Sequence, residues 1–351
     1  MATERNPYDM MPEEVGNVIS MPMPEEESGA TFELDPEDGG VTVDFSEETV
    51  NMEASEEIAE WYGDISEILD DGELDSIASD VIENFQSDKD SRADWESMFE
   101  SGFDLLGLKL EQGSEPFEGA CTAVHPLLIE SAVKFQSKAS GELFPSIGPI
   151  KTQIFGKSTP EKEEQANRVK NFMNYQVTEQ MPEYFDEFER MLFHLPIIGS
   201  AFKKLYYDAT TKRPRSEFIP IDQFYISYYA TDLANADRYT HVIYRSPVEM
   251  AREINAGVYQ DVDLPTPSSS DITSFAEKMD TIIGLSPSSD NDPQYVLLEQ
   301  HCYLDIEDDD IPLPYIVTVE HQSRQILSIR RNYKQDDPNK EKISHFVHYR
   351  F

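Results

Sequence analysis

The tripeptide Gly-Lys-Ser at positions 156–158 matches the end of a phosphate-binding loop. Such a loop has another glycine five residues earlier, because the backbone must wrap closely around the phosphates. Lys151 occupies that position, so the match is incomplete. Ser158, followed by Pro160 and Glu161, better fits the start of a helix, since serine caps helices and proline suits the first helical position. The sequence therefore predicts no nucleotide cofactor.

The sequence motifs support neither a metal site nor a catalytic nucleophile. Asp305 and the acidic run at 307–310 could attract a hard cation, but they lack the glycine and closing glutamate of a calcium loop, so a solvated turn is favoured. Ser200 lacks the second glycine of a nucleophile elbow. The histidines and cysteines lack paired zinc-ligand spacing, and we predict structural roles for His301, Cys302, His321, His345 and His348. We predict no catalytic, cofactor-binding or metal-ligating residues.

Two clusters of basic residues stand out in an acidic chain. The first comprises Lys203, Lys204, Lys212, Arg213 and Arg215, and the second Arg324, Arg330, Arg331, Lys334, Lys340, Lys342 and Arg350. Either could contact DNA phosphates or an acidic neighbouring subunit, and we favour subunit contacts or plain solvation. The candidate contact residues are Lys203, Lys204, Arg213, Arg215, Arg330, Arg331 and Lys334.

Aromatic residues are dense between Phe202 and Tyr244. They could stack on exposed bases. Their alternation with apolar residues favours packing between strands or at a subunit interface.

Charge restricts the possible partners. The 351 residues carry a formal net charge of −41, and positions 1–100 hold 31 acidic residues against three basic ones. Tight DNA binding depends on Lys and Arg displacing condensed counterions, so it is disfavoured here. Since we find neither an apolar run of about 18 residues nor a signal-peptide pattern, we expect no membrane partner. Cys121 and Cys302 provide no disulfide framework.

The elements that must position these residues belong to an α+β fold, in which amphipathic helices pack with antiparallel strands. Residues 1–52 lack apolar periodicity and are predicted to be a disordered acidic arm. Residues 53–200 form the predicted helical part, with one helix ending at Gly72, one starting at a Ser91/Asp94 capping box, one starting with Pro126 and a long one capped by Ser158.

Strands are predicted beyond Gly199, where the apolar period changes to two. Residues 201–263 hold strands at 201–207, 215–219 and 239–245 plus a short helix, with Lys203 and Arg215 on one shared polar face. Residues 264–293 are a predicted Ser/Pro-rich linker or insertion. Residues 294–351 are a predicted antiparallel meander with strands at 294–305, 313–320, 325–333 and 343–351. Because Phe351 falls inside the last one, we expect the chain to be the N-terminal part of a longer polypeptide.

Several segments resemble one protein family in a single register. They are PFEGACTAVHPLL from Pro116, the stretch from Leu143 to Glu179, LPIIGSAFKKLYYD from Leu195, Ser216 to Ile243 and, more weakly, HFVHYRF from His345. The family is the portal, or head-to-tail connector, proteins of tailed double-stranded-DNA bacteriophages, particularly short-tailed ones.

The resemblance implies a wing-like domain in a ring, usually of twelve copies, at one capsid vertex of the virion. DNA would pass through this ring without sequence specificity during packaging and ejection. The implied partners are terminase, major capsid and scaffolding proteins and tail or neck adaptors, and the subunit, made in the host cytoplasm, would not be an enzyme. The acidic start and the serine-rich span depart from the family pattern. Two alternatives remain open, a carboxylate-rich metal-dependent DNA-processing enzyme and an acidic DNA mimic that binds basic proteins.

Overall fold

A computed structural model describes residues 31–34, 41–44, 61–106, 117, 126–146, 148–208, 211–267, 293–306 and 311–351. The chain divides into two compact units, Met1–Trp61 and Tyr62–Phe351. In the first unit, strands β1 (Thr31–Leu34) and β2 (Val41–Asp44) pair antiparallel. The remaining positions of the predicted disordered arm, 1–52, lie outside the described residues.

The second unit combines helices with antiparallel sheets, which confirms the predicted α+β class. Its helices are α1 (Asp71–Ser91), α2 (Ala93–Leu106), α3 (Leu127–Leu143), α4 (Pro160–Tyr175), α5 (Tyr184–Ile198) and α6 (Pro247–Asn255). A π-helical segment, Gln176–Gln180, extends α4. The strands are β3 (Ser200–Asp208), β4 (Arg213–Ile219), β5 (Phe224–Ile226), β6 (Tyr239–Arg245), β7 (Tyr295–Leu304), β8 (Leu313–Glu320), β9 (Ile326–Arg331) and β10 (Phe346–Arg350).

These strands form two sheets, one in the order β10-β3-β4 and one in the order β5-β6-β7-β8-β9. The predicted strands at 294–305, 313–320 and 325–333 are confirmed as neighbours. The last predicted strand, 343–351, does not continue the meander, because β10 pairs with β3 in the other sheet. Packing explains this crossover, since Phe346 on β10 is buried among Phe224 and Tyr239. Residues 268–292 of the predicted linker lie outside the described part.

Helix α1 covers the five-stranded sheet. Its side chains Ala78, Val81 and Phe85 are buried, and the Phe85 ring meets Tyr225 edge-on at 4.9 Å. Asp70 caps the helix in a capping box with Glu73. Gly72 therefore lies in the first turn of α1, and the prediction that it ends a helix is wrong.

Two more predicted caps are wrong, although their helices exist. The Ser91 hydroxyl donates to the Asp88 carbonyl oxygen at the end of α1 instead of capping α2. Thr159, not Ser158, caps α4 by accepting from the Lys162 amide. Neighbouring hydroxyl residues compete for the same cap, and sequence spacing alone does not distinguish them.

Other boundaries agree with the predictions. Pro126 precedes α3 directly, and a capping box of Ser246 and Glu249 starts α6. Helix α5 leads into β3 through the single residue Gly199, whose φ of 81° suits glycine. The α5 side chains Met191, Leu192 and others pack with Ala201 and Phe218 of the three-stranded sheet.

The buried carboxylate of Asp88 anchors α1 to the segment before β6. Its oxygens accept hydrogen bonds from Arg238 Nε at 3.0 Å and Nη2 at 2.8 Å. We expect Asp88→Ala to lower the free energy of unfolding by about 3 kcal/mol, because a partly buried guanidinium loses its partner. Urea unfolding checks this. Asp90→Ala on the exposed side of α1 is the matched control and should change stability by less than about 0.5 kcal/mol. Equal effects of the two substitutions would contradict the anchoring role.

Candidate functional site

The adjacent lysines of the first basic cluster lie on opposite faces of β3. Lys203 stands opposite Phe218 and points toward α5, whereas Arg215 stands opposite Tyr206 on the other face. The predicted shared polar face of Lys203 and Arg215 is therefore wrong, because the register pairs odd positions of β3 with even positions of β4 and so places Arg215 on the face of Tyr206 and Lys204.

Lys203 is a buried lysine among aromatic rings. Its side chain is 2% exposed, and its Nζ lies 4.3 Å from the Tyr184 ring centroid and 4.9 Å from that of Phe188. Nζ has no hydrogen-bond partner within the described residues. Burial lowers the pKa of Lys203 to about 8, although the carboxylates of Glu187 and Glu183 oppose the shift. The rings replace part of the lost hydration of the ammonium group.

Lys204 points the other way and joins a buried polar network between the two sheets. Its Nζ donates to Glu299 Oε2 of β7 at 2.5 Å, and His301 Nε2 lies 3.1 Å from Glu299 Oε1. Asn332 connects His301 to His345, whose Nε2 lies 3.1 Å from Asn332 Oδ1. The Lys204 side chain is 12% exposed and is therefore engaged by Glu299 within the protein.

Ionisation in this network follows from its contacts. Burial alone would raise the pKa of Glu299, but the Lys204 ammonium and the hydrogen bond from His301 hold it well below its usual range. Burial lowers the pKa of His301, and it lowers that of His345 to about 4 with help from neighbouring His301. The arrangement is a carboxylate paired with one ammonium and bordered by neutral imidazoles. His301 is only 1% exposed, so its ring contributes to the packing between the sheets.

The other predicted contact residues are dispersed. Arg213 donates to both carboxylate oxygens of Glu183 and to the Gln180 carbonyl oxygen. Arg215 Nη1 lies 3.6 Å from Asp208. Arg330 donates to the carbonyl oxygens of Gly257 and Val258, Arg331 is half-buried and Lys334 is exposed. Their role in subunit or DNA contacts stays a prediction.

Five of the ten aromatic residues from Phe202 to Tyr244 are buried inside the protein. The rings of Phe202 and Phe224 stack at 4.1 Å in the core between the sheets. Tyr207 on β3 and Tyr228 and Tyr229 in the loop after β5 are instead exposed. Strand packing thus accounts for the buried rings.

The structure also shows where several of the remaining sequence motifs lie. Lys157 and Ser158 are exposed before α4, and the Ser158 hydroxyl donates to Glu163. Among the described residues, no group of three or more His, Cys, Asp or Glu side chains is arranged to hold a metal ion. The acidic run at 307–310 and Cys121 lie outside them. Cys302 is buried, which raises the pKa of its thiol to about 12.

The strongest candidate for an interaction surface is the segment 148–180, which we call the helical arm. Its helix α4 contains no buried residue. Large apolar side chains of the arm are exposed, with Phe155 at 87% and Val169, Phe172, Met173 and Tyr175 between 41% and 52%. The spacing of Val169, Phe172 and Met173 predicts an apolar helix face that packs in a core, which we call the apolar stripe. The spacing does not show whether the surface that covers this stripe belongs to the same chain.

Asn174 gives the helical arm its shape. Its Oδ1 accepts from the Ile150 amide at 3.1 Å and its Nδ2 donates to the Ile150 carbonyl oxygen at 3.1 Å, so the loop is clamped to α4. Gly148 adopts a φ of 107°, and a Cβ there would meet Asn174 Oδ1 at 2.4 Å. The arm is thus preorganised by polar contacts rather than by a core of its own.

Comparison with protein-family models and with curated proteins gives no match. No helix within the described ranges is both long and apolar enough to cross a bilayer.

The two neighbouring lysines should respond oppositely to substitution. We expect Lys203→Met to raise the free energy of unfolding at pH 7 by about 1–2 kcal/mol, since the cost of burying the ammonium charge exceeds its cation–π attraction to the two rings. Lys204→Met should lower it by about 3 kcal/mol, because Glu299 is left buried without its ion-pair partner.

The pH dependence gives Lys203 a separate signature. Unfolded lysine holds its proton to about pH 10.4, whereas folded Lys203 releases it near 8. The unfolded state binds more protons between these values, so wild-type stability should rise with pH across that window. Urea unfolding at several pH values should show a smaller rise in Lys203→Met. Parallel curves for the variant and the wild type would contradict the assignment.

Buried His345 should make the fold sensitive to acid. The unfolded imidazole takes up a proton near pH 6.5, whereas the folded one stays neutral down to about 4. The unfolded state binds more protons in this window, so stability falls as pH falls through it. In His345→Gln, which retains a donor toward Asn332, the fall between pH 6.5 and 4 should be smaller. An unchanged slope in urea unfolding would place the acid sensitivity elsewhere.

Proposed function

We propose that the protein is a portal subunit, which assembles with copies of itself into a ring at one vertex of a phage capsid. The observation that carries the proposal is the helical arm, an ordered segment that exposes large apolar side chains. Contiguous exposed apolar surface on a protein is typical of interaction sites. The resemblance to portal proteins between Pro116 and Asp208 includes this arm.

The charge of the chain fits the same role. A ring through which DNA slides must avoid strong phosphate contacts, since each would slow the polyanion. The formal net charge of −41 makes such contacts rare. In addition, Lys203 and Lys204, two of the basic residues that could have bound phosphate, are taken up inside the fold.

In this proposal the subunit is a structural component of the virion and has no catalytic role. Its residues 62–351 contribute to a wing-like domain. Terminase docks on the ring during packaging, tail or neck adaptors replace it afterwards, and capsid and scaffolding proteins surround it. DNA passes through the channel without sequence-specific contacts.

Imaging of the complete natural polypeptide tests the proposal. Negative-stain electron microscopy and mass photometry of the purified protein should show closed rings with one predominant subunit number. Monomers over a wide concentration range would count against it. Incubation with DNA and Mg²⁺ serves as a parallel measurement, because cleavage abolished by a single Asp or Glu substitution would favour the DNA-processing enzyme instead.

A further inference from the structure

Helix α4 has an apolar face that stays exposed, formed by Val169, Phe172 and Met173. Most helical stability in proteins comes from packing such a face. Helix α4 has 16 residues and no buried one. The clamp by Asn174 orders the arm but leaves Val169, Phe172 and Met173 exposed. A surface that covers this stripe would bury the apolar area that α4 lacks.

The charge of the helical arm differs from that of the chain. Positions 148–180 carry five basic residues and four acidic ones, in a protein with a net charge of −41. Arg168 is exposed and Lys170 half-buried, and both lie beside the apolar stripe. The arm can therefore approach an acidic surface that other parts of the chain would repel.

Helix α1 presents such an acidic surface. Its 21 residues include seven acidic residues and one lysine. The exposed acids are Asp71, Glu73, Asp75, Asp80, Glu83 and Asp90. The exposed apolar residues Ile68, at 79%, and Met98, at 65%, lie before and after α1 in the sequence. The outer face of α1 itself offers the charge that complements Arg168 and Lys170 of the arm.

We propose that the helical arm of one copy docks on the outer face of α1 of the neighbouring copy. Two different surfaces then meet, and such a head-to-tail contact closes into a ring when the rotation between copies permits. The inference rests on the proposed ring function and assigns the contact that builds the ring. Arg168 and Lys170 would face Asp80 and Glu83, which lie on the exposed side of α1.

Charge reversal on the complete polypeptide tests this contact. The double substitution Arg168→Glu/Lys170→Glu reverses two charges on the arm. The double substitution Asp80→Lys/Glu83→Lys reverses two charges on α1. Each variant alone should form rings at least tenfold less readily by mass photometry. An equimolar mixture of the two should restore rings, because each reversed surface then meets an opposite charge on the other variant. Lys138→Glu/Arg252→Glu, at exposed positions of α3 and α6 outside both basic clusters, is the control with the same charge change as the arm variant and should assemble normally.

The results distinguish failure of the assigned contact between the arm and α1 from failure of the proposed ring function. If wild-type rings form and neither variant is impaired, or the mixture stays unassembled, the assigned contact is wrong while the ring function stands. If reversal of the arm alone disrupts rings and reversal of α1 does not, the arm meets another surface and the proposal is overturned. If the wild type forms no rings, the proposed function itself fails. Circular dichroism of each variant checks that the helices remain folded.

Discussion

The ion pair between Lys204 and Glu299 is the contact on which the arrangement of the two sheets depends. It connects β3 of one sheet to β7 of the other at 2.5 Å, at a depth where either charge alone would be costly. His301, Asn332 and His345 extend it toward β10. Around it lie the stacked rings of Phe202 and Phe224. Polar contacts therefore fix the relative position of the sheets, while aromatic packing supplies the buried area.

The large negative net charge of the chain limits how copies of it could associate. A chain with a net charge of −41 repels its own copies, and at physiological salt this repulsion extends over about 8 Å between exposed charges. Copies can associate only where apolar area or opposite charge offsets the repulsion. The helical arm combines both features. In the proposed contact, the acidic helix α1 would therefore be selective, because its charge repels most surfaces of another copy but not the arm.

Local structure is predictable from the sequence to the extent that it depends on neighbouring residues. Alternation and capping residues place β3, β6 and α6 correctly, because their signals lie within a few positions of the elements. The partner of β10 is not predictable, since its choice depends on where Phe346 fits in the assembled core. Likewise, composition places Lys203 and Lys204 in one basic cluster. Only the register of β3 shows that one lysine faces aromatic rings and the other a carboxylate. The apolar stripe of α4 is evident in the sequence. Periodicity predicts that a helix face is buried but does not show which surface covers it.

The junction at Gly199 has a mechanical consequence. Helix α5 continues into β3 through one residue, and Arg213 of β4 also holds Gln180 and Glu183 at the root of the arm. Little chain is therefore left to bend between the arm and the three-stranded sheet. A load applied to the arm would be carried stiffly into that sheet and onward to the ion pair with Glu299. A force on the arm would thus be distributed through the core of the molecule instead of being absorbed at a flexible junction.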